Sequence, residues 1–600
     1  MMKHLKTKTV LTIDTETNGL NYDNLVLFQI GDKYDQFVID ARFTDISILN
    51  SILSSKRITK IFHNAKFDVK VLKKLSLKVE HIFDTMIADY VLYTGLDITH
   101  SLANCSIRYL DIDINSNQLS LWEPFFDKNT RNSFANITWE NAELAQIYYA
   151  AKDIEITHRI YEKQLELLRL NKLEKVVKLE NEFTLVLADI EFNGLPIDTK
   201  MWMKEIDTAQ SRVEENLIKL NTFVDSPINW NSSKQAIPVF KKYGVPTKVI
   251  DKIKSKRENE KVEKDSLQSI HIKKYVDSYE IVGPYINYKE QQKLVTSYGT
   301  KFLAKINPNT LRLHTNFIQI LHTGRTASSN PNLQQIPRDK EFRDCIRPPK
   351  GVFVISDYTQ QELHVVASKS KDVNMLNTLK EKKDLHKVAA SALYQVSIDN
   401  VTKDQRQDGK TTNFLIVYGG GAQKLAEQFN VPLSQAKIMI NNYFRIFPKL
   451  KEYQDKCLKD SLDNGYILID KLGRKSYIAD FELFKECRRL INTLGKNCPQ
   501  VVSVIYKTFL SEVSRKSANF PIQGESASMS KLAGIFLRRH KKAHLYKILL
   551  LIHDEWLVEC DEEVAEEVKG IIEECMTKAS RYFSSIEVPA EAIIKKSWIK

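Results

Sequence analysis

The sequence predicts a multidomain protein of mixed α/β and α+β character, and three observations predict it. The chain has 600 residues, too many for a single hydrophobic core. Its first 165 or so residues interleave short apolar strands with amphipathic helices. After a long helical middle, strands and helices alternate again from His314 onward. The composition, 43% hydrophobic and 27% charged, is that of an ordinary globular protein.

Taken in order, the first strands are read at Val10–Asp14, Leu25–Ile30 and Gln36–Ile39. A helix follows whose apolar stripe is Phe67, Val71, Leu72 and Leu75. A long helix runs through Glu180–Glu191 and closes at the turn signal Asn193-Gly194-Leu195-Pro196. From about Met201 to Ser297 the text is helical, polar and charge-rich, above all in Asp251–Lys264, and reads as a solvated helical arm. Further on come a buried strand, Gly351–Asp357, and a hairpin of Ile548–Ile552 with Trp556–Cys560 around His553-Asp554-Glu555. There is no short repeat and no low-complexity tract.

Composition narrows the function classes. A formal charge of +13 and a pI near 9.0 favour a polyanionic partner, although spread over this length the signal is weak. Seven cysteines without a C-x-x-C speak against a disulfide framework and a structural zinc. No run approaches the roughly 18 apolar residues that span a bilayer. The first chemical motif begins at Asp14, which leaves no room for a removable leader, so a cytoplasmic protein without membrane contact is expected.

Three acidic signals stand in the first 155 residues. In Ile13-Asp14-Thr15-Glu16 the strand period of two puts Asp14 and Glu16 on one face. Like charges there are costly unless a cation lies between them, and a strand end meeting solvent is the plain alternative. His63-Asn64-Ala65-Lys66-Phe67-Asp68 places Asp68 at the edge of a helix stripe. Tyr149-Ala150-Ala151-Lys152-Asp153 sets a phenol and a carboxylate on one helix face.

The second half carries a different constellation. Asp357 ends the apolar strand Val352–Ser356, where it suits a metal site or a simple helix N-cap. Asp554 and Glu555 stand at the tip of a hairpin, where acidic pairs are commonly just solvated. Between them Arg406, Lys410, Phe414 and Tyr418 recur every four residues. Four residues turn about 400°, so the stripe drifts by only about 40° per step and forms one slanting face. Two cations followed by two aromatics suit a triphosphate joined to a base and sugar.

The ordered set Asp14/Glu16, Asp68 and Tyr149/Asp153 resembles the three motifs of DnaQ-like 3′→5′ exonucleases. The later motifs resemble those of family A, polymerase I-type DNA polymerases. Motif A is Asp357-Tyr-Thr-Gln-Gln-Glu362-Leu, motif B is Arg406-x3-Lys410-x3-Phe414-x3-Tyr418-Gly419, and motif C is His553-Asp554-Glu555. The likeness continues through Thr323-Gly324-Arg325, Asn330–Pro337, Asp384-Leu385-His386, Gly473-Arg474 and Arg515-x3-Asn519-x-Pro521-Ile522-Gln523-Gly524, in order over nearly the whole chain.

The resemblance implies an RNase H-like exonuclease domain over residues 1–165, followed by a right-hand polymerase over 166–600. Its thumb would span about 200–300, its palm about 301–375 and 505–600, and its fingers about 376–504. It implies two Mg²⁺ per active site, with Mn²⁺ able to substitute: one pair on Asp14, Glu16, Asp68 and Asp153, the other on Asp357 and Asp554. Tyr149 would orient the attacking water and Glu555 would be an accessory acid. His386, Arg406 and Lys410 would hold the dNTP triphosphate, Lys410 acting also on the leaving pyrophosphate. Tyr418 would shape the pocket for the new pair, and Glu362 would exclude a 2′-OH. Phe414, where some relatives carry Tyr, implies discrimination against dideoxynucleotides. Arg325, Arg515, Asn519 and Gln523 would contact the minor-groove side of primer–template DNA.

The chain departs from the family pattern at Gln361, where an apolar residue is usual, and at His364, where Arg is usual. It departs again at Lys516-Ser517-Ala518 and at Glu525-Ser526-Ala527-Ser528, the last replacing the commoner Thr-Ala-Ala-Asp. With no 5′-nuclease domain ahead of the exonuclease, the layout resembles bacteriophage replicative enzymes. A monomer working with helicase, primase or other replisome proteins is then expected. Two other readings are a nuclease whose second half only grips DNA and a non-catalytic nucleic-acid scaffold. Retention of both carboxylate sets speaks against them.

Overall fold

In the computed structural model, Leu11, Ile13, Phe28 and Ile30 are all but removed from water and found a five-stranded mixed sheet. The structure describes residues 1–18, 25–114, 144–250 and 263–599. The sheet order is Gln36–Asp40, Leu25–Gly31, Val10–Thr17, Thr59–Phe62, Ile82–Asp84. The first three strands are antiparallel, and the last two run parallel to Val10–Thr17 and to each other. The central strand runs on past its expected end at Asp14, because pairing with the second strand continues through Asp14↔Gln29 and Glu16↔Leu27. The helix Ala65–Lys74 turns Val71 and Leu72 into this core, whereas Leu75, expected in the stripe, caps the helix and is exposed.

Contact density divides the chain into two compact units. One holds Met1–Asn193, Asn316–Ser329 and Val354–Ile594. Besides the first sheet it contains the helices Leu144–Leu170 and Glu174–Asn193, the helices between residues 361 and 494, and the 40-residue helix Gln500–Arg539. A second sheet has the strand order Tyr546–Ile552, Glu555–Cys560, Val352–Tyr358, Ala590–Lys595. Its apolar residues, Phe353, Val354, Leu550, Leu557 and Val558 among them, are almost fully buried.

The other unit holds Gly194–Thr315, Asn330–Phe353 and Lys595–Lys600. Its helices Thr199–Asn221, Ser233–Lys242 and Val282–Tyr298 close around Val213, Leu220, Trp230, Phe240 and Tyr285. The all-helical expectation for this stretch is corrected, since Lys248–Ile250 and Glu263–Asp265 pair as an antiparallel ribbon. The charge-rich run between those strands, residues 251–262, lies outside the described residues. Among the described residues no helix is long and apolar enough to cross a membrane.

Candidate active sites

Strand alternation leaves Thr15 buried and turns Asp14 and Glu16 to one partly open face. The helix Leu144–Leu170 packs against that sheet and contributes Asp153, so that carboxylate oxygens of Asp14, Glu16 and Asp153 lie within 4.8 Å of one another. Asp68, in the first turn of its helix, accepts the Thr15 hydroxyl at 2.6 Å and stands beside this group of three rather than within it. Burial lifts the Asp14 carboxyl to about 6. Burial and then the Asp14 charge hold Asp68 well above the usual carboxylate range. Acids pressed together in this way either keep protons or take a cation, and an all-oxygen donor set fits a hard divalent ion. Tyr149, one turn before Asp153, packs by Val26 and Leu27.

Two supports of this site carry no clear signal in the sequence. The Asp84 carboxylate accepts the backbone N–H groups of Asn64 at 3.0 Å, Ala65 at 2.8 Å and Met86 at 2.9 Å, tying down the start of the Asp68 helix. Asp84-Thr85 ahead of an apolar run is a helix-start signal that accounts for half of this role. Glu191 accepts from Lys66 at 2.7 Å, from Lys70, and from the Phe317 N–H at 2.6 Å. It thereby fastens the Asp68 helix to the segment that leads to Arg325.

In the second sheet, Ile552 pairs with Glu555. His553 and Asp554 are therefore a two-residue hairpin turn, with His553 in the left-handed region at φ 57°. The neighbouring strand carries Asp357. The alternative of Asp357 as a helix N-cap fails: the following helix starts at Gln361 and its cap position is Gln360. Burial, and next the Asp357 charge, lift the Asp554 carboxyl to about 7. Two carboxylates in one desolvated place again fit a divalent cation. Glu555 opens the next strand, half-buried.

Motif B forms the helix Lys403–Val417, begun by a capping box of Thr402 and Gln405. Lys410 is exposed, while Phe414 and Tyr418 are half-buried with ring centroids 5.9 Å apart. Arg406 is engaged by Asp384 at 2.5 Å. Asp384 also caps the helix Leu385–Tyr394 by accepting the His386 N–H at 2.9 Å.

Burial lowers the His386 pKa to about 4, so the ring is neutral near pH 7. The Tyr443 hydroxyl donates to Asn413 Oδ1 at 2.7 Å, which turns the Asn413 amide N–H toward His386 Nδ1 at 3.0 Å. Nδ1 must then accept, and the ring proton sits on Nε2, where it is available to donate. Gly409 allows the two helices this approach, for a Cβ there would lie 2.2 Å from the His386 carbonyl oxygen. Neither Gly409 nor Asn413 stands out in the sequence, because a close backbone approach has no periodic signature.

Glu362 is held by the Tyr418 hydroxyl and by the Arg325 guanidinium. Motif A, motif B and the Thr323–Arg325 turn therefore meet on one carboxylate. On the helix Gln500–Arg539, Arg515 is exposed and Gln523 half-buried. Asn519 Oδ1 is shielded from solvent and takes no hydrogen bond among the described residues.

The departures from the family pattern at Gln361, His364, Glu525 and Ser528 each find hydrogen-bond partners inside the fold. The buried Gln361 amide donates to the Ser526 carbonyl and the Ser530 hydroxyl, each at 3.2 Å. Ser528 donates to Asp470 at 2.6 Å, and Glu525 accepts from Lys369 at 2.6 Å. His364 is buried, which lowers its pKa, with Nδ1 at 3.0 Å from the Gln360 carbonyl. Beneath them lies a fully buried ionic cluster. Glu180 accepts from Arg474 at 2.5 Å and from Lys531 at 2.7 Å, and Arg474 also meets Asp470 at 3.2 Å.

Comparison with known proteins agrees with this geometry. Residues 199–600 match DNA polymerase family A, and residues 1–169 match a 3′-5′ exonuclease family. DNA polymerase I of Borreliella burgdorferi is 29% identical over 625 residues, covering all of this chain and 63% of the relative. DNA polymerase I of Aquifex aeolicus is 28% identical over 634 residues, covering all of this chain and 97% of the relative. The chain thus spans less than two thirds of the first relative and nearly all of the second. A solved structure, the POL domain of Pol1 from M. smegmatis in complex with DNA primer-template and dNTP, superposes with a TM-score of 0.80 at 22% identity, covering 100% of this chain and 97% of that one. With two carboxylate sites on two sheets and a family match over two thirds of its length, the chain belongs to DNA polymerase family A and carries a 3′-5′ exonuclease domain at its N-terminal side.

Proposed function

We propose that the chain synthesises DNA from dNTPs on a primer–template and removes mispaired 3′ ends with its exonuclease domain. The observation that carries this reading is the presence of two separate, partly buried carboxylate groups, each pressed toward proton uptake and so suited to divalent cations. Asp357 and Asp554 would hold Mg²⁺ in the polymerase site, and Asp14, Glu16 and Asp153, with Asp68 beside them, in the exonuclease site. Bound there, two ions would activate the attacking oxygen and neutralise the leaving one.

This chain's own residues would do the rest. His386 Nε2–H and Lys410 donate to triphosphate oxygens, and Arg406 joins them by leaving Asp384. Lys410 serves the departing pyrophosphate. Glu362, fixed by Tyr418 and Arg325, lies against the sugar and leaves no room for a 2′-OH. Phe414 disfavours dideoxynucleotides. Arg325, Arg515, Asn519 and Gln523 meet minor-groove acceptors, whose similar placement in every base pair allows geometry to be checked without reading sequence. In the exonuclease site Tyr149 orients water, and Glu555 supports the primer end in the palm.

The domain limits implied by the motifs, action as a cytoplasmic monomer, and helicase or primase as partners belong to this proposal. The relatives named above are bacterial. The test is extension of a labelled primer with matched or mismatched 3′ ends, with and without dNTPs. Extension, mismatch removal, and shortening without dNTPs are expected. Asp554→Ala should abolish extension and keep shortening, and Asp14→Ala should do the reverse. Equal loss of both activities in either variant refutes the two-site reading.

A further inference from the structure

Arg325 reaches Glu362 from a tight turn. The Gly324 N–H donates to the Leu321 carbonyl at 2.7 Å, and the Leu321 N–H donates to the Arg325 carbonyl at 2.9 Å. Two groups back this turn. A Cβ on Gly324, where φ is 80°, would stand 3.2 Å from Arg474 Cδ and Nε, so the arginine side chain lies directly against the glycine. A Cβ on Gly524 would stand 2.8 Å from the Thr323 carbonyl oxygen, so the helix Gln500–Arg539 also passes in contact with the turn. Just upstream, the buried Gln319 amide donates to the Glu180 carbonyl oxygen and to its carboxylate, each at 2.8 Å, and accepts the Thr184 hydroxyl at 2.9 Å. The Gln319 carbonyl accepts from Lys531 at 3.1 Å.

Both attachments lead to the same buried acid. Glu180 holds Gln319 directly, and it holds Arg474 together with Asp470. Buried ion pairs are a poor way to stabilise a core, since packed apolar side chains of the same volume serve as well or better. Arg474 Nη1 has no acceptor among the described residues, so stability alone does not account for the arginine. What such a cluster supplies is a fixed geometry, because a displaced partner leaves a charge buried alone. The geometry fixed here is the place from which Arg325 extends. Arg325 in turn holds one Glu362 oxygen while Tyr418 holds the other.

We propose that Arg474 and Gln319, anchored on Glu180, are positioning residues for sugar selection: they set the Leu321–Arg325 turn so that Arg325 holds the Glu362 carboxylate where it excludes a 2′-OH. The proposal rests on the polymerase reading given above, with Glu362 as the group that meets the sugar. The test uses the full chain and measures kcat/KM for one dNTP and for the matching rNTP on the same primer–template. The variants are Arg474→Lys, which keeps the charge but loses the fork that reaches Glu180 and Asp470 at once, Gln319→Ala, which leaves the ion cluster in place, and Glu362→Ala as the reference. In Arg474→Lys and in Gln319→Ala the rNTP-to-dNTP ratio should rise about tenfold, while dNTP incorporation stays within about threefold of the parent. In the Glu362→Ala background Arg474→Lys should move the ratio no further, because no carboxylate is left to place.

A parental ratio in either variant overturns the inference, as do equal losses of dNTP and rNTP incorporation in a folded variant, or additive effects with Glu362→Ala. If Arg474→Lys does not fold, the ratio of Gln319→Ala decides alone. A parental ratio in Glu362→Ala itself overturns the reading of Glu362 as the sugar gate, and a parent chain that incorporates neither nucleotide overturns the polymerase reading; the inference falls with either.

Discussion

Asp554 offers the sharpest quantitative consequence of the structure. Its carboxyl is lifted from the ordinary value of 3.8 to about 7, by burial first and by Asp357 second. A carboxyl raised in the folded state binds its proton more tightly there than in the unfolded chain. Folding stability is then lost as pH rises from about 4 to 7 and is constant above that. At 1.36 kcal/mol per pH unit the cost at pH 8 is at most about 4 kcal/mol, part of which is shared with Asp357.

Asp554→Asn removes the charge and keeps the shape. The substituted protein should melt above the parent in EDTA at pH 8, and the gap should shrink as pH falls toward 5. A divalent cation should close the gap from the other side, since it stabilises the parent by binding its native state and has one carboxylate fewer in the variant. Primer extension should be lost throughout. Thermal melts at pH 5, 6, 7 and 8, with and without Mg²⁺, check this. A variant less stable than the parent at pH 8 in EDTA, or a gap that does not depend on pH, would refute the argument that the two acids strain one another.

The other expectations concern supports of the sites. Glu180→Gln leaves Arg474 and Lys531 buried with less countercharge, and it should cost about 3–5 kcal/mol in urea unfolding. A loss below about 1 kcal/mol would mean that the cluster is already hydrated. Gly409→Ala drives a methyl against the His386 carbonyl. It should raise the KM for dNTPs while single-strand shortening is unchanged; an unaltered KM would show that the two helices can yield. Gln361→Leu takes the amide donor from the buried Ser530 hydroxyl, while the Ser526 carbonyl keeps its helical partner, at about 1–3 kcal/mol by thermal melt. Adding Ser530→Ala should recover part of that loss, and strictly additive effects would deny that the two positions are coupled.

Local chemistry makes much of this protein legible in its amino-acid order. Strand alternation puts Asp14 and Glu16 on one face, four-residue spacing gathers Lys410, Phe414 and Tyr418, and an acidic pair between two apolar runs marks the hairpin at Asp554. Such patterns survive folding because they depend on the 2.0 and 3.6 residue periods of the backbone itself. The main strands of both sheets, the order of the motifs and most of the acids follow from that local pattern.

Which groups share a site depends instead on the tertiary fold. Asp68 stands beside the Asp14, Glu16 and Asp153 carboxylates because Thr15 holds it there. Arg406 is engaged by Asp384, and His386 is kept neutral by burial, with its proton on Nε2 because Asn413 and Tyr443 fix the ring. Gln361, a departure when read alone, is met by the Ser526 backbone carbonyl and the Ser530 hydroxyl, 165 and 169 residues away. Glu180 meets cations 294 and 351 residues away. Contacts at such separations leave no period in the chain. They arise only when burial removes water and each stranded charge or amide must find its partner inside the protein.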